Sequence, residues 1–379
     1  MADPIYLDHN ATTPLLPEVV DAILPYLREH FGNPSSGHVY GRRAREAIEH
    51  ARSHVAALLA CSPGELVFTG GGTEANNLAI RGVAEARADR KRIVTTAVEH
   101  PATAHPCTWL EGQGWHITRL GLGAHGEVLL DDVDAALHGA ALLTVIHAHN
   151  ETGVLQPIAG LARRARAQDV LVHTDAAQSI GKVPVHVDDL GVDLLSLAGH
   201  KLYAPKGVGA LYVRSGTTLA PFVLGAGHER GLRPGTENVA AIVGLGRACE
   251  LAARDLEILA ARTRERRELL WNLLHAGVPD LARHGDPARC LPNTLSVRFP
   301  RTTGAAVLAA APEVAASTGS ACHDGHDLAP AVLLAMGIPA AEALGAVRLT
   351  LGRGTRDADL HTAAAALTRA WRTATGQSG

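Results

Sequence analysis

Five short apolar runs, at 66–69, 92–96, 142–148, 170–174 and 194–197, punctuate the stretch between residues 18 and 213, and each is followed at once by small or polar residues. Short apolar runs bounded by turn chemistry suit buried strands, and the helical stretches between them suit the crossovers that parallel strands require. The rhythm predicts an α/β domain built on a mostly parallel sheet. In open sheets of this kind ligands collect outside the carboxyl ends of the strands. Chemistry is therefore expected at 70–77, at Glu99 and His100, at Asn150 and Glu151, at 175–178, and at His200 with Lys201.

With 379 residues the chain exceeds the size at which one core stops growing, so two lobes are expected. Residues 239–276 are rich in Ala, Leu, Glu and Arg without proline, which predicts one long helix bridging the lobes. Its charge-dense part, 262–268, reads as a solvated face. Segments 293–299, 317–330 and 347–351 predict a smaller α/β lobe joined by the N-terminal segment. The expected division is 16–260 for the large domain and 1–15 with 261–379 for the small one.

A net charge of -3 leaves no basic footprint for a polyanion, so direct nucleic-acid binding is not expected. No apolar run approaches membrane-spanning length and residues 1–7 lack a signal-peptide pattern, so a cytoplasmic protein without membrane contact is expected. The five cysteines, Cys61, Cys107, Cys249, Cys290 and Cys322, are odd in number and form no CxxC pair, which argues against a disulfide framework.

Lys201 follows the apolar run Asp193-Leu-Leu-Ser-Leu-Ala-Gly199 and His200. A lysine on a sharp turn at a sheet edge can form a Schiff base once burial lowers its pKa, although surface lysines are far commoner. Asp175, closing the run Val172-His-Thr-Asp175, strengthens that reading. An aspartate can keep the ring nitrogen of pyridoxal phosphate protonated, and without that proton the ring is a poor electron sink. The plainer role for Asp175 is a helix N-cap. Thr69-Gly-Gly-Gly72-Thr73-Glu74 lies between a strand-like run and a helical stretch, as a phosphate cradle would, or as an ordinary glycine turn would.

These pieces sit within a longer ordered set. It runs Tyr6-Leu-Asp-His-Asn-Ala-Thr-Thr-Pro14, Phe31-Gly-Asn-Pro-Ser-Ser36, the glycine cradle, Glu99-His100, His147-Ala-His-Asn-Glu-Thr-Gly153, Asp175-Ala-Ala-Gln178 and Gly199-His-Lys201. It continues through Gly227-His-Glu-Arg-Gly-Leu-Arg-Pro-Gly-Thr-Glu-Asn238, Leu291-Pro-Asn293, Ser317-Thr-Gly-Ser-Ala-Cys322 and Val347-Arg348-Leu-Thr-Leu-Gly-Arg353. In this order the sequence resembles the class V aminotransferase family of fold-type I pyridoxal-phosphate enzymes, and within it the cysteine desulfurases, over nearly the whole chain.

The resemblance implies a large domain on a seven-stranded, mostly parallel sheet plus a smaller α/β C-terminal domain. It implies that Lys201 carries pyridoxal 5'-phosphate, that Asp175 pairs with the pyridine nitrogen, and that His100 stacks on the ring and shuttles protons. Asn150 and Gln178 would lie near the phenolic oxygen, and Gly72, Thr73 and His200 would hold the phosphate. Thr236 would reach the phosphate of the neighbouring subunit of a homodimer. Arg348, with Asn150 beside it, would bind the carboxylate of L-cysteine, in the two-pronged geometry arginine offers. Cys322 would take the sulfur as a persulfide, leaving alanine, and pass it to an acceptor protein serving iron-sulfur assembly, tRNA thiolation or DNA sulfur modification.

Two positions depart from the family's usual pattern: Ala198 stands where serine is common, and His149 where asparagine is frequent. A lone cysteine is more often a small buried hydrophobe, but the polar, glycine-containing stretch around Cys322 suits a reactive thiol, and the other four keep the structural reading. His147 with His149, or His323 with His326, lack the third and fourth ligands of a zinc site, so no metal is expected. A selenocysteine lyase on the same scaffold is the alternative activity. A non-catalytic binding protein is disfavoured by the joint presence of Lys201, Asp175, His100, Arg348 and Cys322.

Overall fold

The computed structural model describes residues 3–131, 133–319 and 328–376. A two-residue strand β1 (Ile5–Tyr6) opens the chain, followed by β2 (Leu66–Thr69), β3 (Arg92–Thr96), β4 (His116–Leu120), β5 (Leu142–Ile146), β6 (Leu171–Asp175), β7 (Leu194–Ala198) and β8 (Gly209–Val213). Strands β2 to β8 make the expected seven-stranded sheet, in the order β2-β8-β7-β6-β5-β3-β4. β8 alone runs against the others, pairing antiparallel with β2 and β7. Strands β5, β7 and β8 are buried along their whole length, as a sheet covered on both faces requires, and helices such as Gly72–Ala86 and Ile158–Arg166 supply the cover.

Two strands escaped the sequence reading. β4 is an edge strand whose burial is mixed, so it carries no continuous apolar run. β8 is apolar but follows β7 through a short connection that no crossover helix marks. Asp175 itself closes β6 rather than following it, because its backbone still pairs with Ile146 and Ser196.

The long helix runs Val239–Gly277, within a residue of expectation. Its charge-dense part is not wholly a solvated face. Thr263 is buried, and the Arg267 side chain is 1 % exposed while its guanidinium donates to the carbonyls of Leu291 and Pro287. A buried guanidinium is tolerable only when partnered in this way, and Glu268 completes the pairing at 2.7 Å.

Beyond the helix, β9 (Ala282–Arg283), β10 (Thr294–Arg298) and β12 (Ala346–Thr350) form an antiparallel three-stranded sheet, and β11 (Val314–Ala315) pairs in parallel with β1. Leu7 of the N-terminal segment packs against these strands. Leu7, Leu295, Val297, Val347, Leu349 and the buried Trp371 of the helix Asp357–Ala374 share one apolar cluster, separate from the clusters under the large sheet. After β1 the chain crosses from β12 toward the turn that follows β7: Thr350 N–H donates to Leu7 O, and Thr13 N–H to His200 O. The crossing places residues 8–13 at the carboxyl ends of the central strands.

Candidate active site

The carboxyl ends of β2, β3, β5, β6 and β7 surround a cavity of about 280 Å³, close to the size of about 300 Å³ at which small-ligand sites begin. Of the expected site residues, Gly72, Thr73, His100, Asn150, Asp175, Gln178, His200, Lys201 and Arg348 all line it. Thr236 does not; it lies exposed ahead of the long helix. Cys322 lies outside the described residues, as do His323 and His326. The described chain approaches that segment through Ser317, whose backbone pairs on both sides with Arg348.

Lys201 ends a 3-10 turn (Gly199–Lys201) that begins as soon as β7 stops. Its Nζ donates to Asn10 O at 2.6 Å and to Ala11 O at 2.7 Å. Burial, helped by the Arg348 guanidinium and opposed by Asp175 and Asp8, pushes the amine down to about 8, so a neutral nucleophile is accessible close to physiological pH.

Asp175 Oδ2 accepts from Asn76 Nδ2 at 2.7 Å, and Oδ1 accepts from the Ala177 N–H at 2.9 Å. The second bond caps a turn, not a helix, because no helix begins between Asp175 and Val187, so the helix N-cap weighed for this residue is not the role it takes; the first ties it to the helix that the glycine cradle starts. The Asp175 carboxylate is buried and held from two directions on the cavity wall.

His100 caps the helix Pro101–Gly112, its Nδ1 accepting the Ala102 N–H at 3.1 Å. An acceptor Nδ1 leaves the hydrogen on Nε2 of the neutral ring, and burial lowers the imidazole pKa further. His200, also pushed down to about 4 by burial, pairs Nδ1 with Thr12 Oγ1 at 3.2 Å. Both rings are therefore neutral hydrogen-bonding groups at pH 7.

The glycine cradle is built for a backbone approach. Gly71 has φ 143°, a conformation that L side chains rarely adopt, and it caps the helix Gly72–Ala86. A Cβ on Gly72 would come within 3.2 Å of the Ala198 Cβ. The methyl of Ala198 thus occupies the wall where a serine hydroxyl would be a donor.

Arg348 projects from β12 with Nη2 2.7 Å from Asp8 Oδ1 and Nη1 3.0 Å from Asn150 O, while its buried Nε has no partner among the described residues. His149 donates from Nε2 to Val98 O and accepts the Glu151 N–H at Nδ1, and His147 Nδ1 bonds Ser179 Oγ, so these rings are engaged in holding the loop after β5. The four cysteines described are unpaired thiols, three of them buried; burial raises Cys61 and Cys107 to about 12 and Cys290 to about 11, and Cys249 still higher. None is a ready nucleophile.

Three contributors had no role in the sequence reading: Asp8, Asn10 and Asn76. Asn76 was within reach, since it lies one helical turn beyond Gly72 and so faces the same way. Asp8 and Asn10 were visible only as members of a motif.

An amine, a carboxylate and a glycine-led helix start delivered to one cavity by a parallel sheet define a fold-type I pyridoxal-phosphate site. The donor set fits that group: a reactive amine for its aldehyde, an acid for its ring nitrogen and a side-chain-free cradle for its phosphate. The chain belongs to the aminotransferase class-V family, whose model matches residues 5–361, and within it to the cysteine desulfurases, which depend on pyridoxal phosphate. A cysteine desulfurase of Trichormus azollae is 43% identical over 359 residues, 94% of this chain and 90% of that protein. Among solved structures a NifS-like protein matches with a TM-score of 0.91 at 32% identity, covering 97% of this chain and 98% of that one. SspA in complex with cysteine matches with a TM-score of 0.81 at 35% identity, over 91% and 98%. Among the described residues no helix is long and apolar enough to cross a membrane.

Proposed function

We propose that this chain removes sulfur from L-cysteine, with Lys201 as the cofactor-carrying lysine and general base and Cys322 as the sulfur acceptor. The observation that carries the reading is the meeting of the Lys201 amine and the Asp175 carboxylate, from the ends of neighbouring strands, in the same cavity as Arg348. Gly72, Thr73 and His200 would hold the phosphate, Asp175 the pyridine nitrogen, and Asn150 with Gln178 the phenolic oxygen, with His100 over the ring. Bound there, pyridoxal phosphate supplies the electron sink that makes a substrate α-proton acidic.

Arg348 binds the substrate carboxylate and orients the α-carbon. Lys201 Nζ, near neutrality once free, takes the α-proton. His100, with its hydrogen on Nε2, donates and recovers a proton as the sulfur departs. The Cys322 thiolate attacks the substrate sulfur: an S–S bond forms, the C–S bond breaks, and alanine leaves. The persulfide on Cys322 then passes to an acceptor protein. The expected homodimer accounts for Thr236, which is exposed and away from its own subunit's cavity, as a phosphate ligand for the partner subunit. A two-domain division near residue 260 and a cytoplasmic location complete the reading, the latter supported by free thiols among the described residues.

The test is Cys322→Ser. The variant should bind the cofactor as the wild type does and lose persulfide formation and sulfide release; a variant that still releases sulfide at the wild-type rate removes Cys322 from the mechanism.

A further inference from the structure

We infer that Asn10, held in place by Lys182, is the positioning residue that seats the amine of Lys201 whenever that amine is not joined to the cofactor. The inference rests on the reading of Lys201 given above.

The carbonyls of Asn10 and Ala11 take two hydrogen bonds from Lys201 Nζ, at 2.6 and 2.7 Å. A neutral amine has two N–H bonds and one lone pair. With both hydrogens engaged by carbonyls, the lone pair occupies the remaining tetrahedral corner and can receive a proton. An unseated lysine would instead sample many rotamers of its four-carbon stem. The seat matters most in the step where Lys201, released from the cofactor, must act as a base.

The seat is only as firm as the segment that carries it, and Asn10 is bonded at every polar group. Its N–H donates to Thr350 Oγ1 at 3.0 Å; its Nδ2 donates to Thr294 Oγ1 at 2.9 Å and Asn150 O at 3.3 Å. Its Oδ1 accepts from Lys182 Nζ at 3.0 Å and Asn293 Nδ2 at 3.1 Å, and its carbonyl also accepts from Gln178 Nε2 at 2.9 Å. The amide cannot be turned over, because Asn150 O can only accept and Lys182 Nζ faces Oδ1 as a donor. Asn10 is 1 % exposed, so losing these bonds would leave polar atoms buried without partners.

Lys182 has no part in the chemistry described so far. It lies four residues after Gln178, in the turns that follow β6, is half-buried, and donates to Gln178 Oε1 at 2.9 Å as well as to Asn10 Oδ1. Gln178 in turn bonds the Asn10 carbonyl. Lys182, Gln178 and Asn10 therefore close a triangle directly behind the seat of Lys201, and one amine orients two side-chain amides at once.

Lys182→Met tests this, since it keeps the apolar stem and removes both donors; Lys182→Gln, which keeps two N–H donors but on a shorter, planar amide, is the second variant should the first not fold. Capture of pyridoxal phosphate by the cofactor-free chain is followed by the absorbance of the imine, and kcat and KM are measured with L-cysteine on the loaded enzyme. Lys182→Met should capture cofactor about ten-fold more slowly and lose about ten-fold in kcat, with KM within about two-fold because Arg348 keeps its own partners. Lys182→Gln should fall between it and the wild type. A folded variant with unchanged capture rate and kcat, or one whose KM alone rises, overturns the inference. A wild-type chain that captures no cofactor overturns the underlying reading together with it.

Discussion

Arg348 Nη2 lies 2.7 Å from Asp8 Oδ1, so the guanidinium assigned to a substrate carboxylate is already engaged by a carboxylate of the chain itself. Asp8 belongs to the crossing segment after β1, and Asp8 forms a parallel bridge with Thr350, two residues from Arg348 on the same strand. An internal partner of this kind keeps a buried cation compensated when no substrate is present. It also stands as a rival to that substrate.

Asp8→Asn keeps an acceptor oxygen near Arg348 and removes the rival charge. KM for L-cysteine should fall by about five-fold, on the order of 1 kcal/mol. Asp8 also helps hold the Lys201 amine protonated, so its removal should move the Lys201-dependent limb of the pH profile to lower pH. Steady-state kinetics across pH check both, and a raised KM would contradict the rivalry.

Lys201 imposes a pH-dependent penalty on the cofactor-free chain. Its folded pKa of about 8 lies below the ordinary 10.5, so between these values the unfolded chain binds more protons and stability rises with pH. Below pH 8 the cost of burying the cation stands in full, roughly 3 kcal/mol. Cofactor-free Lys201→Met should therefore be more stable than wild type at pH 7, with an advantage that shrinks toward pH 10.5. Denaturant midpoints at the two ends of that window decide it; an advantage that grows with pH contradicts it.

Glu99 carries the opposite sign. Its carboxyl is buried, accepts at Oε1 from Thr96 Oγ1 at 2.7 Å and the Ile146 N–H at 3.0 Å, and burial pushes its pKa up to about 8. The folded chain keeps a proton there that the unfolded chain loses above the ordinary 4.5, so stability from this group is full below that value and falls as pH rises through 8. Glu99→Gln should lie close to wild type at pH 5 and exceed it by roughly 4–5 kcal/mol above pH 8. Thermal melts at both pH values test this, with equal melting temperatures at high pH as the contrary result.

The residues legible in the sequence share one property: they follow apolar runs directly. Lys201, Asp175, His100 and the Thr69 to Thr73 cradle each stand where a parallel strand ends, and the strand rule alone brings them to one edge. Asn10 could not be read that way. Its partners, Gln178, Lys182, Asn293, Thr294 and Thr350, come from distant parts of the chain and meet only because β1 pairs with β11 and carries the segment across the site. Arg267 misled for a similar reason. A charged run on a helix reads as solvated until the carbonyls of Leu291 and Pro287 are seen waiting beneath it.

The central claim is that the amine at position 201, seated on the Asn10 and Ala11 carbonyls, is the one that carries the cofactor. Lys182 stands close by as the natural control, bonded to the same Asn10. Chain loaded with pyridoxal phosphate, reduced with borohydride and mapped by peptide mass should carry the label on Lys201. A label on Lys182, or none at all, would contradict the account.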